Sequence, residues 1–190
     1  MKRIDTQIPD VVILEPKIFK DTRGYFAETW NENKLAQLGI CCKFVQDNES
    51  FSQYGVIRGL HFQKGPAAQA KLVRVIKGEV LDVALDIRAG SHTFGQHVAV
   101  RLSEDNHRQL YIPRGFAHGF AVLSKTALFA YKCDNFYAPD SEGSILASDA
   151  SLGIDWSIPN DKQIFSVKDS CAPFWNTYCL NPVFRMEDLK

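Results

Sequence analysis

Apolar and polar residues alternate along the middle of this chain with the period of two that marks a half-buried strand. The clearest run lies between 80 and 88, where Leu81, Val83, Leu85 and Ile87 alternate with Asp82 and Asp86 and leave one apolar face. Residues 70–77 have the same character, and Lys77-Gly78 between the two runs predicts a hairpin turn. Further strands are predicted at residues 96–102, 109–112, 116–123 and 126–133, most of them separated by glycine, proline, asparagine or serine. Residues 24–30 are aromatic and strand-like, and one early helix is expected over residues 34–38, capped by Asn31 or Asn33 and stopped by Gly39. After about Pro139 the pattern loosens into turns, an Ile164-Phe165-Ser166-Val167 run and an aromatic tail. Short strands at this spacing predict an all-β protein, an antiparallel barrel of jelly-roll type with minor helical segments.

One strand breaks the rule. Gly55-Val56-Ile57-Arg58-Gly59-Leu60-His61-Phe62-Gln63 sets an arginine and a histidine inside an apolar run. Burying either without a partner costs several kcal/mol, on the order of 2–7, so a site is expected here. Arg58 and His61 are three residues apart, and strict alternation would send them to opposite faces. Both reach the interior only if the ladder is interrupted, and Gly59 is the place for a bulge. A lone histidine in a strand is more often a satisfied core residue, so neighbouring chemistry must decide. His92, His97 and His107 stand near polar turns and read as surface residues.

Composition narrows the classes. A chain of 190 residues suits a single domain with a sizeable core. Its 22 basic and 22 acidic residues cancel, which argues against nucleic acid as a partner and requires a local cluster for any anionic ligand. The five cysteines have no metal-type spacing and read as free thiols of a reducing compartment. The only early apolar run, Val11 to Leu14, is followed at once by Glu15 and Pro16, too short for a signal-peptide core or a membrane span. The expectation is a cytoplasmic protein with no membrane partner.

Two segments carry the candidate chemistry, Gly59 to Gln63 and Ile112-Pro113-Arg114-Gly115-Phe116-Ala117-His118-Gly119. The second, Pro-x-Gly-x-x-His, resembles the second motif of the cupin superfamily, and the first resembles the first cupin motif. Metal-binding cupins have a second histidine two residues after the first, then a glutamate. Here Gln63 takes the histidine's place, no carboxylate occurs from Lys64 to Lys77, and Lys71 stands near where the glutamate would be. No metal and no other cofactor is therefore expected, and acid–base chemistry by side chains takes their place.

A closer resemblance runs from about Arg23 to Asp169. Phe44-Val45-Gln46-Asp47-Asn48-Glu49-Ser50, Gly55 to Gln63, Lys71 to Val80 and Pro113 to Phe120 are similar, in order, to the dTDP-4-dehydrorhamnose 3,5-epimerase family. The resemblance implies inversion of carbons 3 and 5 of dTDP-4-dehydro-6-deoxy-D-glucose on the route to dTDP-L-rhamnose, a precursor of cell-surface polysaccharide. It implies His61 as base, oriented by Asp169, with Tyr131 as acid and Lys71 holding the enolate oxygen. A neutral imidazole, with a reference pKa of about 6.5, suits a base at neutral pH. The resemblance further implies substrate contacts from Arg23, Glu28, Gln46, Asp47, Asn48, Arg58, Lys71, His118, Tyr137, Glu142 and Lys168, with Tyr137 stacking on thymine. It also implies a homodimer in which the segment carrying Arg23 and Glu28 crosses to the partner.

On this basis residues 1–190 are one cupin-type epimerase domain, with about 1–45 contributing to the dimer and about 140–190 forming a C-terminal extension. Phe19, Phe26, Trp30 and Trp175 are expected in the core or the dimer contact. Ala147-Ser148-Asp149-Ala150 departs from the Trp-Asn-Asp-Pro type segment of the family, and the tail after Asp169 is also unlike it. Three alternatives stay open: a mono-epimerase of another dTDP-deoxysugar pathway, a non-enzymatic sugar-nucleotide-binding cupin, and a metal-dependent cupin.

Overall fold

Period-two patterning yields two facing antiparallel sheets. The computed structural model describes residues 1–189. In chain order, β1 (Lys2–Asp5), β2 (Val12–Glu15), β3 (Ile18–Asp21), β4 (Gly24–Ala27) and α1 (Glu32–Gln37) lead into β5 (Gln46–Gln53) and β6 (Ile57–Gln63). There follow β7 (Lys71–Lys77), β8 (Glu79–Asp86), β9 (Arg88–Ala89), β10 (His97–Ser103), β11 (Gln109–Ile112), β12 (Phe116–Val122) and β13 (Thr126–Cys133). The C-terminal part holds β14 (Glu142–Ser144), α2 (Val167–Ser170), α3 (Trp175–Leu180) and β15 (Phe184–Arg185). One sheet runs β1-β2-β11-β7-β13-β5 and the other β10-β8-β12-β6-β14, the expected jelly-roll arrangement. A separate hairpin, β3–β4, stands outside both sheets.

The predicted helix forms as expected, with Asn31 accepting from the Lys34 amide and Gly39 leaving it at a φ of +83°. Leu35 and Ile40 seal it onto Val12, Leu14 and Leu72. The predicted strands at 109–112 and 126–133 match β11 and β13, whereas the aromatic run at 24–30 is extended only to Ala27.

Two expectations are corrected. Lys77-Gly78 is not a hairpin turn, because β7 and β8 belong to different sheets. The chain crosses between the sheets at Gly78, with a φ of +84°, where a Cβ would sit 2.2 Å from the Thr126 carbonyl oxygen. The second correction concerns β8, which is buried on both faces rather than one. Leu81, Val83, Leu85 and Ile87 do not face the barrel interior; they pack with Trp156, Ile158, Tyr178 and Phe184 of the C-terminal extension. The interior face carries Val80, Ala84 and Asp82 instead, beside a core of Phe116, Phe120, Val122 and Phe129. A polar position in the alternation thus marks the inside of a functional barrel rather than its wet surface.

The irregularity expected at Gly59 is present. His61 pairs with His118 and Arg58 with Phe120, so Gly59 and Leu60 together oppose Gly119 alone. Two residues against one is the definition of a bulge, and it turns Arg58 and His61 onto the same cavity. Gly59 has a φ of +118°, and a Cβ there would lie 2.6 Å from the His118 carbonyl oxygen. A Gly59→Ala variant should therefore lose on the order of 3 kcal/mol and melt roughly 5–10 °C lower. A thermal scan checks this, and an unchanged melting temperature would refute the packing argument.

Candidate active site

The bulge aims His61 into a cavity of about 430 Å³ between the sheets, which Arg58, Lys71, His118, Tyr131 and Asp169 also line. His61 Nε2 donates to Asp169 Oδ1 at 2.6 Å, joining residues 108 positions apart. Asp169 reaches it from α2, whose first turn is capped by Ser166 accepting from the Asp169 amide. The Asp169 side chain is 5 % exposed, against 40 % for His61, so the carboxylate is the fixed partner and the imidazole the accessible one. Burial alone would raise the Asp169 carboxyl. The His61 ring, with donors on Ser166 and Gly59, outweighs burial and holds it below the usual carboxylate range.

Lys71 opens β7 on the opposite sheet, next to Cys133 in the β7–β13 register. It is partly exposed and lines the cavity. Burial lowers its ammonium pKa, partly countered by Cys133 and Asp82. Its Nζ lies 5.9 Å from the centre of the Tyr131 ring. Burial raises the Tyr131 phenol, which keeps its proton and suits an acid. His118 donates through Nε2 to both oxygens of Asp82, at 3.0 and 3.2 Å, and both residues are buried. Burial pushes the His118 ring toward its neutral form despite that carboxylate. Arg58 donates from Nε to Ser52 Oγ at 3.0 Å.

A smaller lobe of about 100 Å³ shares His61, Lys71 and Tyr131 and adds Gln46, Asn48, Tyr137 and Glu142. Here Gln46 donates to Asn48 and accepts from the Tyr137 amide at 2.8 Å. Lys168 pairs with Glu142, which holds the Glu142 carboxyl down and the Lys168 ammonium up. The Glu142 carboxylate near the Tyr137 hydroxyl raises the pKa of that phenol.

In the sequence, Gln63 marks only the place of a missing histidine. Its buried amide donates to the carbonyls of Ala67 and Phe136 and accepts from the Ala138 amide, which anchors the loop that presents Tyr137. Asp82, the partner of His118, was visible only as an alternation, and Ser52 and Ser166 had no signal of their own.

Three predicted contacts lie outside the cavity in this chain. Arg23, its side chain 88 % exposed, pairs with Asp21 on the β3–β4 hairpin. Glu28 just after that hairpin binds Lys34 and Asn31. Asp47 faces away from the cavity and pairs with Lys132 at 2.7 Å. Phe19 and Phe26 are 51 % and 68 % exposed on the same hairpin, so they are not core residues. Trp175 packs against the core, and Trp30 lies at the surface beneath Lys132. His92, His97 and His107 are exposed or partly so. All five cysteines are free thiols. Among the described residues no three His, Cys, Asp or Glu side chains gather as a metal site would need, and no helix is long and apolar enough to cross a membrane.

A jelly-roll barrel with an imidazole–carboxylate pair, an ammonium and a phenol around one interior cavity defines a protein of the cupin type. Comparison with known proteins gives the particular family. Residues 5–177 match the family described as dTDP-4-dehydrorhamnose 3,5-epimerase. An enzyme of that name from Salmonella typhimurium is 56 % identical over 171 residues, spanning 90 % of this chain and 93 % of the relative. The crystal structure of dTDP-6-deoxy-D-glucose-3,5-epimerase from Legionella pneumophila, in complex with dTDP-4-keto-L-rhamnose, superposes with a TM-score of 0.92 at 50 % identity, covering 97 % of both chains. A 3'-monoepimerase from Streptomyces bikiniensis, in complex with dTDP-quinovose, superposes with a TM-score of 0.89 at 30 % identity, covering 97 % of this chain and 93 % of that one. The chain belongs to the dTDP-4-dehydrorhamnose 3,5-epimerase family, and it is an isomerase.

Proposed function

We propose that this enzyme inverts carbons 3 and 5 of dTDP-4-dehydro-6-deoxy-D-glucose, giving dTDP-4-dehydro-L-rhamnose for dTDP-L-rhamnose biosynthesis, without a cofactor. The observation that carries the reading is the convergence of the His61–Asp169 pair, Lys71 and Tyr131 on one cavity. With Nε2 held by Asp169, Nδ1 of His61 is the nitrogen left to take the proton from the carbon beside the ketone. The C–H electron pair moves into a carbon–carbon double bond and the ketone's π pair onto its oxygen, where the Lys71 ammonium faces the enolate. Tyr131 returns a proton to carbon from the other face, and solvent then restores both groups. Repetition at the second carbon completes the reaction.

Arg58 and Lys168 suit the diphosphate, the first as a forked donor and the second as a point charge. Gln46, Asn48, Glu142 and Tyr137 suit the nucleoside, with the exposed Tyr137 ring available to stack. Asp47, on the outer face of β5, is read as a substrate contact outside the cavity, beside its pairing with Lys132. His118 is read as a contact on the sugar. Arg23 and Glu28 are assigned to the partner's cavity in a homodimer, which gives the exposed Phe19 and Phe26 hairpin a surface to cover. Residues 1–190 are read as one domain, with about 1–45 serving the dimer and about 140–190 supplying Lys168 and Asp169; Lys190 lies outside the described residues. A cytoplasmic location accords with the sugar-nucleotide substrate and the free thiols.

The mono-epimerase reading draws on the neighbour from Streptomyces bikiniensis, and at 30 % identity it stands well behind the 56 % relative. Turnover in deuterium oxide, with the product identified by a rhamnose-forming reductase, separates the two. Deuterium at both carbons is expected. Label at one carbon alone would establish the mono-epimerase, and ligand binding without any label would overturn the enzymatic reading.

A further inference from the structure

Four polar side chains on β5 face the barrel interior, Gln46, Asn48, Ser50 and Ser52, while Asp47, Glu49, Phe51 and Gln53 point out. Three of the four are engaged: Gln46 donates to Asn48, and Ser52 accepts from Arg58. Ser50 is not. Its Oγ is the one buried side-chain oxygen or nitrogen without a hydrogen-bond partner among the described residues. It lies in the wall of the main cavity, and its cross-strand neighbour on β13, Phe129, offers it nothing to bond. Buried hydroxyls are paired in the great majority of native structures, so an orphan facing a ligand cavity calls for a partner that arrives with the ligand.

We infer that Ser50 is a substrate-binding residue, its hydroxyl exchanging a hydrogen bond with an oxygen of the bound hexose. The inference rests on the sugar-nucleotide reading given above. The hexose is favoured over the nucleotide by position. Ser50 shares its cavity with His118, read above as a contact on the sugar, and it does not line the lobe that holds Tyr137 and Glu142. A hydroxyl both donates and accepts, so it matches either a sugar hydroxyl or the keto oxygen. A hydroxyl without a protein partner makes the contact selective, because a sugar without an oxygen there leaves Ser50 unpaired once water is displaced.

The test compares Ser50→Ala with wild type by titration calorimetry against dTDP and against dTDP-L-rhamnose, a stable analogue of the product. Affinity for dTDP should stay within about twofold, while affinity for dTDP-L-rhamnose falls about 3- to 10-fold, the range of one neutral hydrogen bond. The melting temperature of the free variant should hold or rise, since the substitution removes an unpaired hydroxyl; a merely structural serine would lower it. Ser50→Cys, of similar shape but a weaker donor, should fall between the two proteins. An unchanged ratio of the two affinities, or equal weakening of both ligands, overturns the contact. Failure of the wild type to bind dTDP-L-rhamnose at all overturns the functional reading and the contact with it, whereas normal wild-type binding with an unaltered variant overturns the contact alone.

Discussion

A His61→Ala variant is expected to exchange substrate protons with solvent about 10²- to 10⁴-fold more slowly than wild type, while still binding dTDP. His61 is the one imidazole on the cavity wall with accessible surface, since His118 is buried and occupied by Asp82. Removing it also strands the Asp169 carboxylate, which is 5 % exposed and loses the donor that keeps it ionised. Asp169→Asn should reproduce much of the loss with the imidazole still present, because an amide can donate to Nε2 and stabilise the wrong tautomer. Deuterium incorporation followed by proton NMR reads both variants. Near wild-type exchange by His61→Ala would transfer the base role to another residue.

Lys71→Met is expected to lower kcat about 10²- to 10³-fold while making the free protein more stable. The activity loss follows from removing the ammonium assigned to the enolate, a preorganised charge of the kind whose deletion has about that effect. The stability gain has a separate cause. Burial lowers the Lys71 pKa, so the folded state holds its charged form at a disadvantage, and methionine fills the same space without that penalty. The sign for wild type follows. A lysine whose folded pKa lies below its unfolded value binds fewer protons when folded, so this residue's contribution to stability improves as pH rises between the two values. Activity runs the other way, since the enolate needs the ammonium, and kcat should decline on the alkaline side earlier than a free lysine would dictate. A melting curve and a pH–rate profile on both proteins check this. A destabilised Lys71→Met, or a variant that keeps wild-type kcat, would contradict the role.

Much of this site could be read in the sequence, for identifiable reasons. Arg58 and His61 stood out because polar groups in an apolar strand need a purpose, and their spacing of three required the bulge that Gly59 provides. The strands β11 and β13 were legible because their alternation is local. The strand β5 was not legible as a strand, since Gln46, Asn48, Ser50 and Ser52 line a cavity and leave no apolar face to detect. The link at Gly78 misled for a related reason: a short glycine connection looks alike whether two strands pair or part into opposite sheets. The pairing of His61 with Asp169 spans 108 residues, and no spacing rule reaches that far. Family resemblance supplied it. The same resemblance supplied Arg23 and Glu28, which lie away from the cavity of their own chain.

The sheet order also bears on how such an enzyme could diversify. His61, Lys71 and Tyr131 sit on β6, β7 and β13, each flanked by a neighbour on both sides, whereas Gln46, Asn48, Ser50 and Glu142 sit on β5 and β14, the margins of the two sheets. Replacing a residue on an interior strand disturbs two ladders and a packed core; a marginal residue answers to one neighbour and to the ligand. Drift in sugar or nucleotide preference can therefore accumulate along the two margins while His61, Lys71 and Tyr131 stay in register. A lineage built on this barrel can change its substrate long before it changes its chemistry.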